Sequence, residues 1–232
     1  MLNFTLAFAK AGKKILYVSL EQDAEELTNL LMSIESEIPN DRTNTGRLAD
    51  SEWPIFTQAF ETLGSFKDRV VFETRAGTMA TIQARIDRVY PDVVIVDSLG
   101  LVRGHEDEGS ESMRIDAIGR DTKQMQTRTG IPILMVTHMN RAIEQVEREP
   151  RLSDFNQAGE KWCDVAMFIR KPPDTMSPAG FSTRRITVCK HRGGGLGSVD
   201  LALRECCTKF YNATSRSLDL GNRSEGSDYT NL

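Results

Sequence analysis

Four short apolar runs, ILYV at 15–18, VVF at 70–72, VVIV at 93–96 and ILMV at 133–136, constrain most strongly what this chain can fold into. A strand that is apolar at nearly every position must be covered on both faces, as happens in a parallel sheet between layers of helix. The intervening segments supply those helices. Residues 1–10 form an amphipathic helix already under way, with no capping residue ahead of it, so its beginning is expected upstream. Asp23 caps a helix to about residue 38, with Leu27, Leu30, Leu31 and Ile34 at helical spacing. Ser51 caps another to about residue 63, and residues 78–90 form a helix that Pro91 closes. After an acidic, glycine-containing loop at 104–111, a helix runs to about residue 129. The expectation is an α/β fold, a mostly parallel sheet sandwiched by helices.

Beyond residue 139 the pattern changes. Residues 141–159 are polar and charged without a strong apolar period and read as a loop, of the length that usually carries function. A strand at 165–169 and a turn-rich break at 172–180 follow, and 185–189 with 198–203 read as an antiparallel hairpin around a glycine-rich turn. One domain is expected over residues 1–212, with a polar, unpacked tail at 213–232.

Composition narrows the partners. At 39% hydrophobic residues the 232-residue chain can bury one sizeable core, and a formal charge of −4 means that any nucleic-acid contact has to come from a local patch. Cys163, Cys189, Cys206 and Cys207 form no CxxC pair, which points to reduced thiols in the cytoplasm. The apolar start lacks the features of a signal peptide, and no apolar run approaches the roughly 20 residues of a membrane span, so a soluble protein without a membrane partner is expected.

In an open parallel sheet, ligands bind at the carboxyl ends of the strands. The residues just after three of the runs are Glu21, Asp97 and His138. Asp97 suits a Mg²⁺-associated carboxylate, since a hard cation bridging phosphates needs a fixed oxygen ligand. Glu21 suits a general base that polarises water for attack on a terminal phosphate, and equally a carboxylate favoured at a helix entry. His138 suits a sensor of that phosphate, or simply a polar strand end. Lys190 and Arg192 flank the start of the glycine-rich turn and share one side of an extended chain, where they can reach a neighbouring subunit's phosphates or form a solvated hairpin tip. Together they describe a nucleotide hydrolysis site.

In order, SLEQ (19–22), VVIVDSLGL (93–101), ILMVTHMNR (133–141), SDFNQAG (153–159), VAMFIRK (165–171) and KHRGGGLG (190–197) resemble the helicase domain of DnaB-type replicative helicases, over residues 2–212. The resemblance implies a RecA-like P-loop NTPase core, ATP and Mg²⁺ held between subunits of a homo-hexameric ring, and 5′ to 3′ movement on single-stranded DNA that unwinds duplex. A primase or helicase loader is the further partner implied. By motif position Glu21 looks like the catalytic base, Asp97 the Walker B acid, and Lys190 and Arg192 the cations donated across the interface. His138 stands where bacterial members carry Gln and is similar to the His of phage helicase-primases, which suggests a phage-like lineage. SDFNQAG corresponds to the central DNA-gripping loop, with Asn156 and Gln157 where members often carry Arg and Glu; Arg151, Asn156, Gln157 and Gly159 are the DNA-binding candidates, with Arg141 and Arg148 nearby. The family's GxxxxGK[ST] loop occurs nowhere in residues 1–232 and is expected just upstream of Met1, so weak hydrolysis by this chain alone is expected. The alternatives are a RadA-like or KaiC-like ATPase, and a catalytically incompetent subunit that binds a ring or DNA.

Overall fold

A computed structural model describes residues 1–138, 148, 150–155, 161–172 and 177–212. The expected tail at 213–232 lies outside them. Strands β1 (Ile15–Ser19), β2 (Val70–Glu73), β3 (Val93–Asp97) and β4 (Ile133–Met135) form a parallel sheet in the order β2-β1-β3-β4. Alternation within the strands makes two cores. Leu16, Val18, Val94 and Val96 point to one face, against Ile82 and Ile86 of α5 (Met79–Val89) and Ile115 and Ile118 of α6 (Glu111–Thr129). Ile15, Tyr17, Val93 and Ile95 point to the other, against Leu2 and Leu6 of α1 (Leu2–Lys10) and Leu27, Leu31 and Ile34 of α2 (Ala24–Ser36). Full burial of a Val, Leu or Ile side chain contributes about 1.5–3 kcal/mol, so these two faces supply the main drive to fold.

The helices begin where their caps allow. The Asp23 carboxylate accepts from the Glu26 N–H at 2.9 Å, and Thr78 and Thr81 form a reciprocal box at the start of α5. Gly130, at φ 70°, ends α6 in the left-handed conformation that glycine adopts without penalty. Helix α4 (Trp53–Gly64) starts after Glu52 rather than at a Ser51 cap, because Pro54 fixes the first turn. The short polar helix α3 (Asn40–Thr45) has no apolar period that would announce it.

The antiparallel part is larger than a hairpin. Strands β5 (Val165–Arg170), β6 (Phe181–His191), β7 (Gly197–Arg204) and β8 (Lys209–Asn212) form a second sheet in sequence order. Directly opposed pairs fix the β6–β7 register: Arg185 binds Asp200 through two hydrogen bonds of 2.6 and 2.8 Å, and Thr187 meets Ser198 at 3.0 Å. The Asn3 side chain bonds Thr208 and Phe210, and Glu37 pairs with Arg204 and Lys209, so both ends of the α1–α2 layer are tied to the second sheet. Among the described residues no helix is long and apolar enough to cross a membrane.

Candidate nucleotide site

The parallel register aligns the carboxyl ends of the central strands, with Ser19 opposite Asp97 and Val18 opposite Glu73. A tight turn follows β1. Ser19 Oγ donates to the Gln22 carbonyl at 2.6 Å and accepts from the Gln22 N–H at 3.1 Å, while the Leu20 N–H donates to the Asp97 carbonyl at 2.7 Å. This turn sets Glu21 over the end of β3. One Glu21 oxygen accepts from the Ser98 hydroxyl at 2.8 Å, and His138 Nε2 lies 3.8 Å from the same oxygen. The Leu99 N–H donates to the Val136 carbonyl at 2.8 Å, which joins the exits of β3 and β4 and carries His138 to the group. Glu21, Asp97 and His138 are therefore brought together.

Two residues unmarked in the sequence hold them there. The Tyr17 hydroxyl donates to Asp97 Oδ2 at 2.6 Å from a side chain that is 2% exposed, and Ser98, equally buried, orients Glu21. Burial pushes the Tyr17 phenol far above its ordinary pKa, and the hydrogen bond and charge of Asp97 push it further, so it stays a donor. Ser98 follows the strand-end acid directly, and polarity at that position was the available signal. Tyr17 counted only as an apolar strand residue.

With Oδ2 engaged by Tyr17, Asp97 keeps Oδ1 for a cation or its water, and a hard carboxylate fits Mg²⁺. Among the described residues no group of three or more His, Cys, Asp or Glu side chains is placed to hold a metal without help from a ligand.

Lys190 and Arg192 sit elsewhere, at the end of β6 on the second sheet. Arg192 donates to Asp164 Oδ1 at 3.1 Å and to the Lys161 carbonyl at 3.5 Å, not to the Glu21 group. Arg148 grips the buried Asp154 carboxylate through bonds of 2.6 and 2.8 Å, and the Arg151 N–H donates to the same group, which leaves the Arg151 side chain exposed. Asn156, Gln157, Gly159 and Arg141 lie outside the described residues.

A family model described as the DnaB-like helicase C-terminal domain matches residues 1–212. The chain belongs to that family. It is 26% identical over 233 aligned positions to the replicative DNA helicase DnaB of Rickettsia prowazekii, covering 89% of the chain and 48% of that protein. It is 24% identical to the replicative DNA helicase DnaC of Bacillus subtilis, covering 91% of the chain and 48% of that protein. The chain thus spans about half the length of the curated relatives it matches. Among solved structures, one described as an ATPase domain superposes with a TM-score of 0.82 at 20% identity, over 92% of the chain and 79% of its own. A DnaB-like replicative helicase, from a study of its interactions with primase, gives 0.83 at 20% identity, over 92% of the chain and 55% of its own. At that identity the two superpositions establish the fold alone, a RecA-like core.

Proposed function

We propose that the chain is the ATP-hydrolysing motor of a replicative DNA helicase, coupling hydrolysis to 5′ to 3′ translocation on single-stranded DNA within a homo-hexameric ring. The convergence of Glu21, Asp97 and His138 at the carboxyl edge of the parallel sheet carries this reading. Bound Mg²⁺ would supply charge neutralisation at the phosphates, and Asp97, oriented by Tyr17, would hold it directly or through water. Glu21, with one oxygen engaged by Ser98, keeps the other to take a proton from the attacking water. His138, with a side chain 82% exposed, is free to turn toward a terminal phosphate and sense its presence. Lys190 and Arg192 serve the phosphates of the next subunit, which fits their place on the second sheet. Arg151, Asn156, Gln157 and Gly159 contact the DNA backbone, and a primase or loader docks on the assembled ring.

Glu21→Gln tests the base. It removes the proton acceptor but keeps shape and hydrogen bonding, so single-stranded-DNA-stimulated turnover should be lost while ATP binding is retained; full turnover in that variant removes Glu21 from the role. Unwinding of forked duplexes with 5′ to 3′ polarity separates a helicase from a RadA-like or KaiC-like ATPase.

A further inference from the structure

Asp164 lies one position beyond the first rung of the β5–β6 ladder, where Val165 faces His191, and it therefore stands opposite Arg192. Its backbone carbonyl accepts the Arg192 N–H at 2.9 Å. Its carboxylate is divided between two cations. Oδ1 accepts from Arg192 Nη1 at 3.1 Å, and Oδ2 accepts from Lys123 Nζ of α6 at 2.6 Å, a lysine also held by Gln126 at 3.0 Å. Lys190 contributes a third positive charge to the same carboxylate. Three cations around one carboxylate leave a surplus of positive charge.

An exposed pair of this kind adds little to stability: the Arg192 side chain is 57% exposed and Asp164 47%. Its geometric effect is larger. Arg192 enters the glycine-rich turn, where an unrestrained guanidinium would sample many rotamers and would have to be ordered each time it met a phosphate. Asp164 engages it from both backbone and side chain and leaves part of the planar fork open for an anion. The Lys123 contact also fastens Asp164 to α6, so the clamp stands on a packed helix rather than on the turn alone.

We propose that Asp164 is a positioning residue that pre-orders Arg192 for the nucleotide of the neighbouring subunit. The inference rests on the reading of Arg192 as a cation donated in trans. It also has a consequence for α6, because displacement of Lys123 from Asp164 would change how firmly Arg192 is held.

The test has two arms. In the chain joined to an upstream GxxxxGK[ST] segment, Asp164→Asn should lower the single-stranded-DNA-stimulated kcat about tenfold or more, with KM for ATP changed less than about twofold and an unaltered melting curve. In an Arg192→Ala background the same substitution should cause no further fall. If Arg192→Ala leaves the rate unchanged, the trans-cation reading fails and the proposal with it. If Arg192→Ala lowers the rate and Asp164→Asn does not, or if the two losses multiply, the trans cation survives and the positioning role is overturned. The second arm needs no hydrolysis: in the chain as it stands, NMR of the Arg192 guanidinium should show restricted rotation that Asp164→Asn releases, and free rotation in the unsubstituted chain overturns the proposal.

Discussion

The Tyr17 hydroxyl reaches diagonally across the sheet to Asp97, donating to Oδ2 at 2.6 Å, while Tyr17 itself stands opposite Ile95. Ile95 and Asp97 share a face because side chains alternate along a strand, so the phenol extends along that face to the acid at its end. The ring is fixed edge-on to Phe72, with centroids 5.7 Å apart. The chemistry of β3 is therefore aimed by the core of β1.

Tyr17→Phe keeps the ring and its contact with Phe72 but removes the donor to Asp97. A hydrogen bond to a charged group contributes about 1.5–3 kcal/mol, and a loss of that order is expected in urea unfolding, with the m-value unchanged. A variant as stable as the unsubstituted chain would show that water replaces the phenol at no cost.

Gly119→Ala should destabilise the protein even though alanine ordinarily improves a helix interior. A Cβ at position 119 would stand 2.7 Å from Trp162 Cδ1, and the indole N–H is committed to Asp116 at 3.1 Å. Overpacking costs about 1–3 kcal/mol against a propensity gain of roughly 1 kcal/mol, so a net loss is expected. Fluorescence in a Trp53→Phe background, where Trp162 is the remaining tryptophan, should shift as the ring is displaced. Higher stability with an unchanged spectrum would place the indole elsewhere.

The parallel sheet was legible in the sequence because its strands are buried on both faces, and burial of that kind leaves apolar runs such as VVIV at 93–96. Glu21, Asp97 and His138 were legible for a related reason, since each is a polar residue where an apolar strand stops. Tyr17 was not, because one aromatic residue serves both the core and the site and only the register shows where its hydroxyl lands. Asp164 was hidden more deeply. Its pairing with Arg192 depends on a register shift in the β5–β6 ladder at Ala166 and Met167, and such irregularities leave no periodic trace. β8 is four residues long and is specified by its pairing with β7 rather than by its own composition.

Acid should loosen the junction between α2 and the second sheet. Burial alone would raise the Glu37 pKa, but the hydrogen bond from Lys209, the nearby Tyr211 hydroxyl and the charges of Lys209 and Arg204 outweigh it and hold the carboxyl below its ordinary value. The folded state therefore favours the ionised form. The resulting stabilisation is fully present above the unfolded carboxylate pKa of about 4.3 and disappears as pH falls through the lower folded value. Glu37→Gln should accordingly lower the melting temperature at pH 7, and the gap from the unsubstituted chain should narrow as the pH is taken below about 4. A gap that stays constant to pH 3 would mean that Glu37 contributes through shape and neutral hydrogen bonding, and that its charge does not hold the junction.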